Sequence, residues 1–489
     1  MRAAIIAFAS LATVVIAPAH AGAPTPTTSN VGPQVDQCVH SAMSAHAMIG
    51  LAAAVVVDGE LAYEAGYGVK HRDLGGAVDA HTAFHHGSTG KMMTAAAVMR
   101  LVEQGLVELD DPVTAYVPEL TFSGQWPADL ITVRHLISNS ALVPNFRQGY
   151  EYSLTEWAAT LGEVSLFAAP GSFWNYSNSN FALAGLVVER ASGMSFAEYL
   201  TDEIFAVAAM GDSSAFPSDV IASGNYTYGH ADDGVIYAPD DRVYPNELAS
   251  GNAFSSAHDL ASWARLMLSD GGDVLSSAAS ARVQEPQVPR IYTPGGPYSI
   301  GGGHYGYGLF IDEYPDATIT WHDGGVPGWV GSLSWVRSEG FAVALLANTW
   351  PSGFAALDDI ERCVFESVLG ITQPDMRQPS DPATWKRYRG TYDTIFEDGY
   401  LFEVVVELED GVPFITVPNL DDPTELVTCE LENVDRSSFV FYPPFGGWWI
   451  VTFIDGPGVP GHVRWIRNQR FVGTRRAGAP RRPSGRLAP

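Results

Sequence analysis

Lysine is almost missing from this 489-residue chain: Lys70, Lys91 and Lys386 are the three it has. Bases of both kinds are few, 27 against 55 acids, for a formal net charge of −28. A surface that acidic repels a phosphate backbone, which argues against nucleic acid as a partner and for high solubility. Cysteine is scarce too. Cys38, Cys363 and Cys429 are too few for a disulfide-stapled scaffold and wrongly spaced for a zinc site. The residues alone leave open one bridge and one thiol, or three buried, inert thiols. Long apolar runs are also lacking. No stretch reaches the roughly 18 residues of a membrane helix. The first residues have a different meaning. Arg2, the apolar run Ala3 to Ala17 and Ala19-His20-Ala21 have the charged start, short apolar centre and small-x-small end of a secretory signal. Residues 1–21 are therefore expected to be a signal peptide, and the protein to be periplasmic or secreted.

What is present divides into regions. Residues 22–34 read as a loose leader. A helix is expected over Gln34–Met48, then a hairpin of Leu51–Val57 and Leu61–Tyr67 around Asp58-Gly59. Ser88 to Gln104 has a helical pattern that Gly105 ends, and Thr132 to Ile137 carries a capped helical start. Residues 154–270 are mostly helical, with Phe181–Ala191 and Ala257–Leu268 the clearest helices. Strands return over Tyr305–Ile311, Thr318–His322, Gly331–Val336 and Phe341–Asn348, before a last helix over Phe354–Leu369. The expected fold is α/β: a sheet built from both chain ends, flanked by helices, with a helical insertion between them. This domain spans 35–372. After a linker of Pro and Asp over Gln373–Pro382, residues 383–474 alternate in short strands: Phe402–Leu408, Phe414–Val417, Ser438–Tyr442, Trp449–Phe453 and His462–Ile466. That is an all-β barrel or sandwich. Residues 475–489, rich in Arg, Gly and Pro, form an expected disordered tail.

Three motifs carry chemistry. Ser88 and Lys91, three apart at a helix start, share one face. A serine hydroxyl needs a neighbouring base, and a lysine crowded into a pocket can lose its charge and become one. Tyr176 and Asn178, in Trp174-Asn-Tyr-Ser-Asn, could point a phenol and a carboxamide from one loop. The phenol could move a proton and the amide could hold substrate and orient Lys91. The plainer alternative is a loop in which Ser177 or Asn178 starts the next helix. Third is Trp321-His322-Asp323-Gly324-Gly325 between two strands, where paired glycines let backbone approach a ligand. The alternative there is an ordinary Gly-rich turn, with His322 structural.

In that order and at that wide spacing, Ser88-x-x-Lys91, Tyr176-x-Asn178 and His322-x-Gly324 resemble the serine β-lactamase and penicillin-binding-protein superfamily. They are most similar to the branch of class C β-lactamases, D-Ala-D-Ala carboxypeptidases, D-aminopeptidases and related esterases. Leu109-Asp-Asp-Pro-Val, Ile131-Thr-Val-Arg-His-Leu-Ile and Gly251-Asn-Ala-Phe-Ser-Ser-Ala-His-Asp-Leu support it, and the resemblance covers about residues 35 to 370. It implies a β-lactamase/transpeptidase-like domain in which Ser88 is acylated and Lys91 and Tyr176 share base and acid work. Asn178 would contact substrate, and His322 would supply polarity near Tyr176. The Ser88 and Gly325 amides would form the oxyanion hole. Neither metal nor cofactor is needed. The 383–474 region is similar to the lipocalin-like β domains appended to some of these hydrolases. The same fold would bring the helices of Cys38 and Cys363 side by side, so a bridge between them is expected.

Two departures matter. Where the family often has Ser or Thr after the Lys or His of the third motif, this chain has Asp323. Its charge would repel a substrate's free carboxylate, which shifts the expected substrate from penicillins and D-Ala-D-Ala termini toward D-amino-acid peptides, amides or esters. A carboxypeptidase or β-lactamase is the runner-up, and a non-catalytic cell-wall peptide binder the rival of another class. The second departure is Ser138-Asn-Ser-Ala-Leu-Val143, which lacks the His and Gly of the family's turn. His85 and His86 are expected to be packed or exposed rather than to touch substrate. Trp448-Trp449 are expected to be barrel core plus one exposed ring.

Overall fold

The computed structural model describes residues 31–145, 151–241, 243–290, 303–372, 378–396, 400–419, 422, 425–444, 449–456, 459–468 and 471–476. The expected signal peptide, Trp448 and the tail beyond 476 lie outside the described residues.

The first unit begins with α1 (Val31–Ala45), β1 (Gly50–Val57), β2 (Glu60–His71) and β3 (Gly75–Ala77). A long, mainly helical insertion follows, with α2 (Gly90–Glu103), α3 (Val133–Ile137), α4 (Asn178–Ser192) and α5 (Ala257–Leu268) as its main helices. The chain returns through β4 (Val288–Pro289), β5 (His304–Tyr305), β6 (Phe310–Glu313), β7 (Thr318–Val326), β8 (Trp329–Val336) and β9 (Phe341–Ala347), and ends in α6 (Gly353–Val364). The nine strands form one antiparallel sheet ordered β3-β2-β1-β9-β8-β7-β6-β5-β4.

The central strands β1 and β9 read as unbroken apolar runs because both sheet faces are covered. Side chains alternate between faces. Leu51, Ala53, Val55 and Val57 pack with Val35 and Val39 of α1 and Ile360 and Val364 of α6. Ala52, Ala54 and Val56 pack with Met93 and Ala97 of α2 and Leu260 and Ala264 of α5. Each fully buried Val or Leu contributes roughly 1.5–3 kcal/mol. Outside the sheet, α1 and α6 are joined by a Cys38–Cys363 disulfide with α-carbons 5.8 Å apart, which removes the reading of three free thiols; Cys429 is free and buried.

Two strand assignments from sequence need correction. Tyr305–Ile311 is not one strand. Gly308 has φ +75°, and a Cβ there would strike the Lys91 carbonyl, so the chain turns at this position and splits β5 from β6. His322 to Gly325 is not a turn between strands. Gly324 pairs with Gly331 and Gly325 with Val330, so β7 runs on to Val326 and the reversal falls at Gly328, with φ +102°.

The second unit is β10 (Gly390–Phe396), β11 (Leu401–Glu409), β12 (Val412–Pro418), β13 (Leu426–Glu430), β14 (Glu432–Asp435), β15 (Ser438–Phe441), β16 (Trp449–Gly456), β17 (Val459–Arg467) and β18 (Phe471–Arg475). Its antiparallel ladder, β13-β12-β11-β10-β18-β17-β16-β15-β14, is a nearly closed barrel, open between β13 and β14. Aromatic rings fill its interior. Tyr388 stacks on Phe453 at 4.4 Å between centroids, with Tyr392, Phe402, Phe439 and Phe471 around them. Trp449 packs partly buried against this core.

The units meet at a seam. Trp465 and Val472 of the barrel pack on Leu142, Phe167, Ala168 and Phe173. Beside them the buried Arg467 guanidinium lies 5.2 Å from the ring centroid of Trp174. No helix of the described residues is long and apolar enough to cross a membrane.

Candidate active site

A short 3-10 turn, Gly87–Thr89, leads into α2 and sets Ser88 half-buried above a wholly buried Lys91. Glycines make this turn possible. Gly87 has φ +56°, which favours glycine. A Cβ on Gly324 would collide with the Ser88 amide and the His86 carbonyl. One on Gly87 would meet the Gly325 amide, and one on Gly251 would meet Gly87. Strand β7, the Ser88 turn and the Ser250–Gly251 segment therefore cross at backbone distance. The amide nitrogens of Ser88 and Gly325 lie in that crossing.

Lys91 Nζ is saturated with oxygen. It lies 2.9 Å from Ser88 Oγ, 2.8 Å from Asn178 Oδ1 and 2.5 Å from the Ser250 carbonyl oxygen. Asn178 and Ser250 offer carbonyl oxygens that only accept, so they fix two N–H bonds and leave the third direction of the nitrogen to Ser88. Burial holds the Lys91 amine well below the ordinary lysine range, with Glu247 and Asp323 pulling it partly back. Tyr176 lies below the same nitrogen, its ring centroid 4.9 Å from Nζ. Burial pushes its phenol above the usual range, opposed by a hydrogen bond with Ser88. Both shifts favour a neutral amine beside a neutral phenol over an ammonium–phenolate pair.

The Tyr176 loop precedes α4, which begins at Asn178 with Ser177 as its N-cap; the Ser177 side chain makes no capping bond. Asn178 is thus both the helix start and a Lys91 partner. The loop is braced by a residue that sequence reasoning missed. Asn139, at φ +54°, accepts the Ser177 amide (3.1 Å) and the Asn180 side-chain amide (3.0 Å) on Oδ1, and the Asn175 amide (2.8 Å) on its carbonyl. Asparagine tolerates this left-handed conformation. An Asn within the departing 138–143 run was the available signal. Ser250 acts through its backbone carbonyl, which leaves no mark in a sequence.

His322 and Asp323 lie side by side on β7. His322 is buried and pushed down to about 3, first by burial and then by Lys91, so it is neutral. Its Nδ1 donates to the Asp323 carbonyl at 2.5 Å, and its Nε2 faces the Tyr305 hydroxyl at 3.4 Å. Its ring is 6.0 Å from that of Tyr176, so it supplies a neutral wall there rather than a cation. The Asp323 side chain is 23 % exposed. Burial pushes its carboxyl up to about 6, opposed by its own backbone amide, Lys91 and Arg290. His85 and His86 are packed, not exposed. His85 lies against Phe254 at 3.9 Å, and His86 Nδ1 is 2.7 Å from Thr89 Oγ1.

The family model described as Beta-lactamase matches residues 35–363. Penicillin-binding protein 4 of Amycolatopsis lactamdurans is 28 % identical over 68 % of this chain and 89 % of its own. Esterase EstB of Burkholderia gladioli is 27 % identical over 67 % and 93 %. Unguisins hydrolase ungD' of Aspergillus campestris is 26 % identical over 69 % and 71 %. Among solved structures, SurE shares the fold at TM-score 0.72 and 23 % identity, covering 92 % of this chain and all of its own. The octameric penicillin-binding protein homologue from Pyrococcus abyssi does so at 0.59 and 20 %, over 90 % and 99 %.

Proposed function

This chain belongs to the Beta-lactamase family and is a serine hydrolase, and on that premise we propose that it is secreted and forms an acyl-enzyme on Ser88 with small amide or ester substrates of the D-amino-acid class. The observation that carries this is the position of Lys91. Two carbonyl acceptors occupy two of its hydrogens and its depressed pKa frees a lone pair, which faces the Ser88 hydroxyl.

Lys91 takes the Ser88 proton as Oγ attacks the acyl carbon. The amides of Ser88 and Gly325 receive the developing oxyanion. The bond to the leaving group breaks as Tyr176 gives that group its proton. The acyl-enzyme then holds an ammonium at Lys91 and a phenolate at Tyr176, and their opposite charges offset part of the burial cost of each. In deacylation, water attacks the acyl carbon and gives a proton to Tyr176, while Lys91 returns its proton to Ser88. All four proton movements balance without direct transfer between Lys91 and Tyr176.

Asp323 supports the substrate class. Its partly exposed carboxylate beside Lys91 disfavours a free carboxylate on the substrate and suits a neutral ester, an amide or the ammonium of an amino-terminal residue. The Cys38–Cys363 bridge supports export, because such bonds persist in oxidising compartments.

Intact-mass spectrometry tests this with a fluorophosphonate, a penicillin and a p-nitrophenyl ester, on wild type and Ser88→Ala. The expected result is a fluorophosphonate adduct and ester turnover, both lost in Ser88→Ala. A stable penicillin adduct would favour the carboxypeptidase reading. A folded protein that no reagent labels would favour a binder without catalysis.

A further inference from the structure

Apart from the Ser88 group, three side chains converge from three separate segments. Glu64 stands on β2, His81 in the turn after β3 and His258 in the first turn of α5. Their donor atoms all lie within 4.8 Å of one another. His258 Nδ1 is 2.7 Å from Glu64 Oε2, and His81 Nε2 is 3.9 Å from Glu64 Oε1. The two imidazoles approach to 4.5 Å between centroids at a tilt of 33°.

The frame behind these residues is fixed. Asp79 Oδ1 accepts from the His81 amide at 3.0 Å, the Thr82 hydroxyl at 3.0 Å and the Asn225 side chain at 3.1 Å. The His258 amide donates to the Ala80 carbonyl at 3.2 Å, which ties the turn to α5. Asp212 Oδ2 lies 2.8 Å from His81 Nδ1 and accepts from Ser256 Oγ at 3.0 Å. With Nδ1–H committed to Asp212, the lone pair of His81 is on Nε2, on the Glu64 side. A carboxylate behind an imidazole is the arrangement that orients metal-binding histidines. The side chains are 31 % (Glu64), 50 % (His81) and 32 % (His258) exposed, so an ion could enter without unfolding.

We propose that Glu64, His81 and His258 form a binding site for a divalent transition metal, best suited to zinc, separate from the catalytic group. Two imidazole nitrogens and one carboxylate oxygen are a donor set zinc accepts, with a fourth position left to water. The ion would clip together segments up to 194 residues apart in the chain. Because the unfolded chain does not assemble this set, binding stabilises the folded state.

The test uses full-length, metal-stripped protein titrated with zinc chloride by calorimetry, with cobalt(II) absorption as a second probe and thermal unfolding with and without zinc. One equivalent should bind with micromolar or tighter affinity, and the unfolding midpoint should rise by a few degrees. His258→Gln and Glu64→Gln should each weaken binding by at least about tenfold and erase that rise, with p-nitrophenyl ester hydrolysis unchanged. His81→Gln, at the most exposed of the three, keeps the test valid if another variant fails to fold. Wild-type protein without saturable binding overturns the proposal. So does zinc binding that is unaltered in the variants, which would mark adventitious binding to the acidic surface.

Discussion

The two units are held together by opposite means. In the hydrolase unit the middle of the sheet pairs β1 with β9, Val55 opposite Val343, and a covalent bridge ties the flanking helices. In the barrel each ladder joins consecutive strands except the closing pair, β10 with β18. Its core is aromatic, and its one cysteine is free. The candidate site sits where distant segments of the first unit cross: Ser88, Asn178, Ser250 and β7. The barrel contributes no atom to the contacts of Lys91 Nζ given above and, among the described residues, meets the Tyr176 loop at its base, at Phe173 and Trp174. Catalysis is thus expected to depend on the non-local crossing, and the barrel to act as a brace.

The largest separation between the units should come from Lys91→Arg. An arginine keeps the charge and cannot serve as a base, so kcat/KM for ester hydrolysis should fall by about 10³-fold, with the circular dichroism spectrum unchanged. Phe453→Ala, in the barrel core, should do the reverse. It should cost the barrel about 3–5 kcal/mol and leave ester hydrolysis within about twofold wherever the barrel remains folded. A comparable loss of activity in both variants would end the division of labour.

The bridge offers the next contrast. Reducing Cys38–Cys363, or replacing both residues with serine, should remove about 2–4 kcal/mol. That loss should appear in the unfolding of the sheet unit and not in that of the barrel, as read by calorimetry. The seam comes after it. Arg467 is buried, its Nε and Nη1 have no hydrogen-bond partner among the described residues, and burial pulls its pKa down to about 9. Arg467→Met keeps the stem on Trp174 and removes a costly buried charge. The unfolding midpoint should therefore rise, while kcat falls by about threefold to tenfold because the Tyr176 loop loses its brace. Fluorophosphonate labelling of Ser88 should stay complete.

The same contrast explains what the sequence disclosed. Helix α5 was legible to the residue, Ala257–Leu268, because its apolar face repeats at helical spacing. The central strands were legible because two covered faces leave a continuous apolar run. Strands β10, β13, β14 and β18 were not. Glu432–Asp435, for example, is short, mostly polar and at the open edge of the barrel, so no alternation identifies it. At the site, Ser88, Lys91, Tyr176 and Asn178 were legible as spaced motifs, and the structure brings them within contact of one another. The strand character of Gly324-Gly325 was hidden, because glycines normally signal a turn. Here they admit the backbone of another segment, a reason that exists only once the chain has folded. The bracing role of Asn139 and the carbonyl of Ser250 depend on the same tertiary crossing.

The last contrast is Asp323→Asn, which tests selectivity rather than rate. The Asp323 carboxyl is raised to about 6, so the folded protein prefers its neutral form. Its contribution to stability is most favourable at low pH and is lost as pH rises through 6. Asp323→Asn should therefore be the more stable protein at pH 7.5, by roughly 1–2 kcal/mol once partial exposure is allowed for. That advantage should shrink as pH falls from 6 toward 4. The same charge should govern substrate choice. Two esters that differ only in a free carboxylate can be compared as a ratio of kcat/KM, which cancels the titration of Lys91. Wild type should prefer the neutral ester by about tenfold at pH 7.5, equivalent to about 1.4 kcal/mol, and the preference should fade below pH 6. In Asp323→Asn it should be weak at every pH. A ratio that is the same in both proteins and flat with pH would mean that selectivity comes from the shape of the cleft and not from this carboxylate.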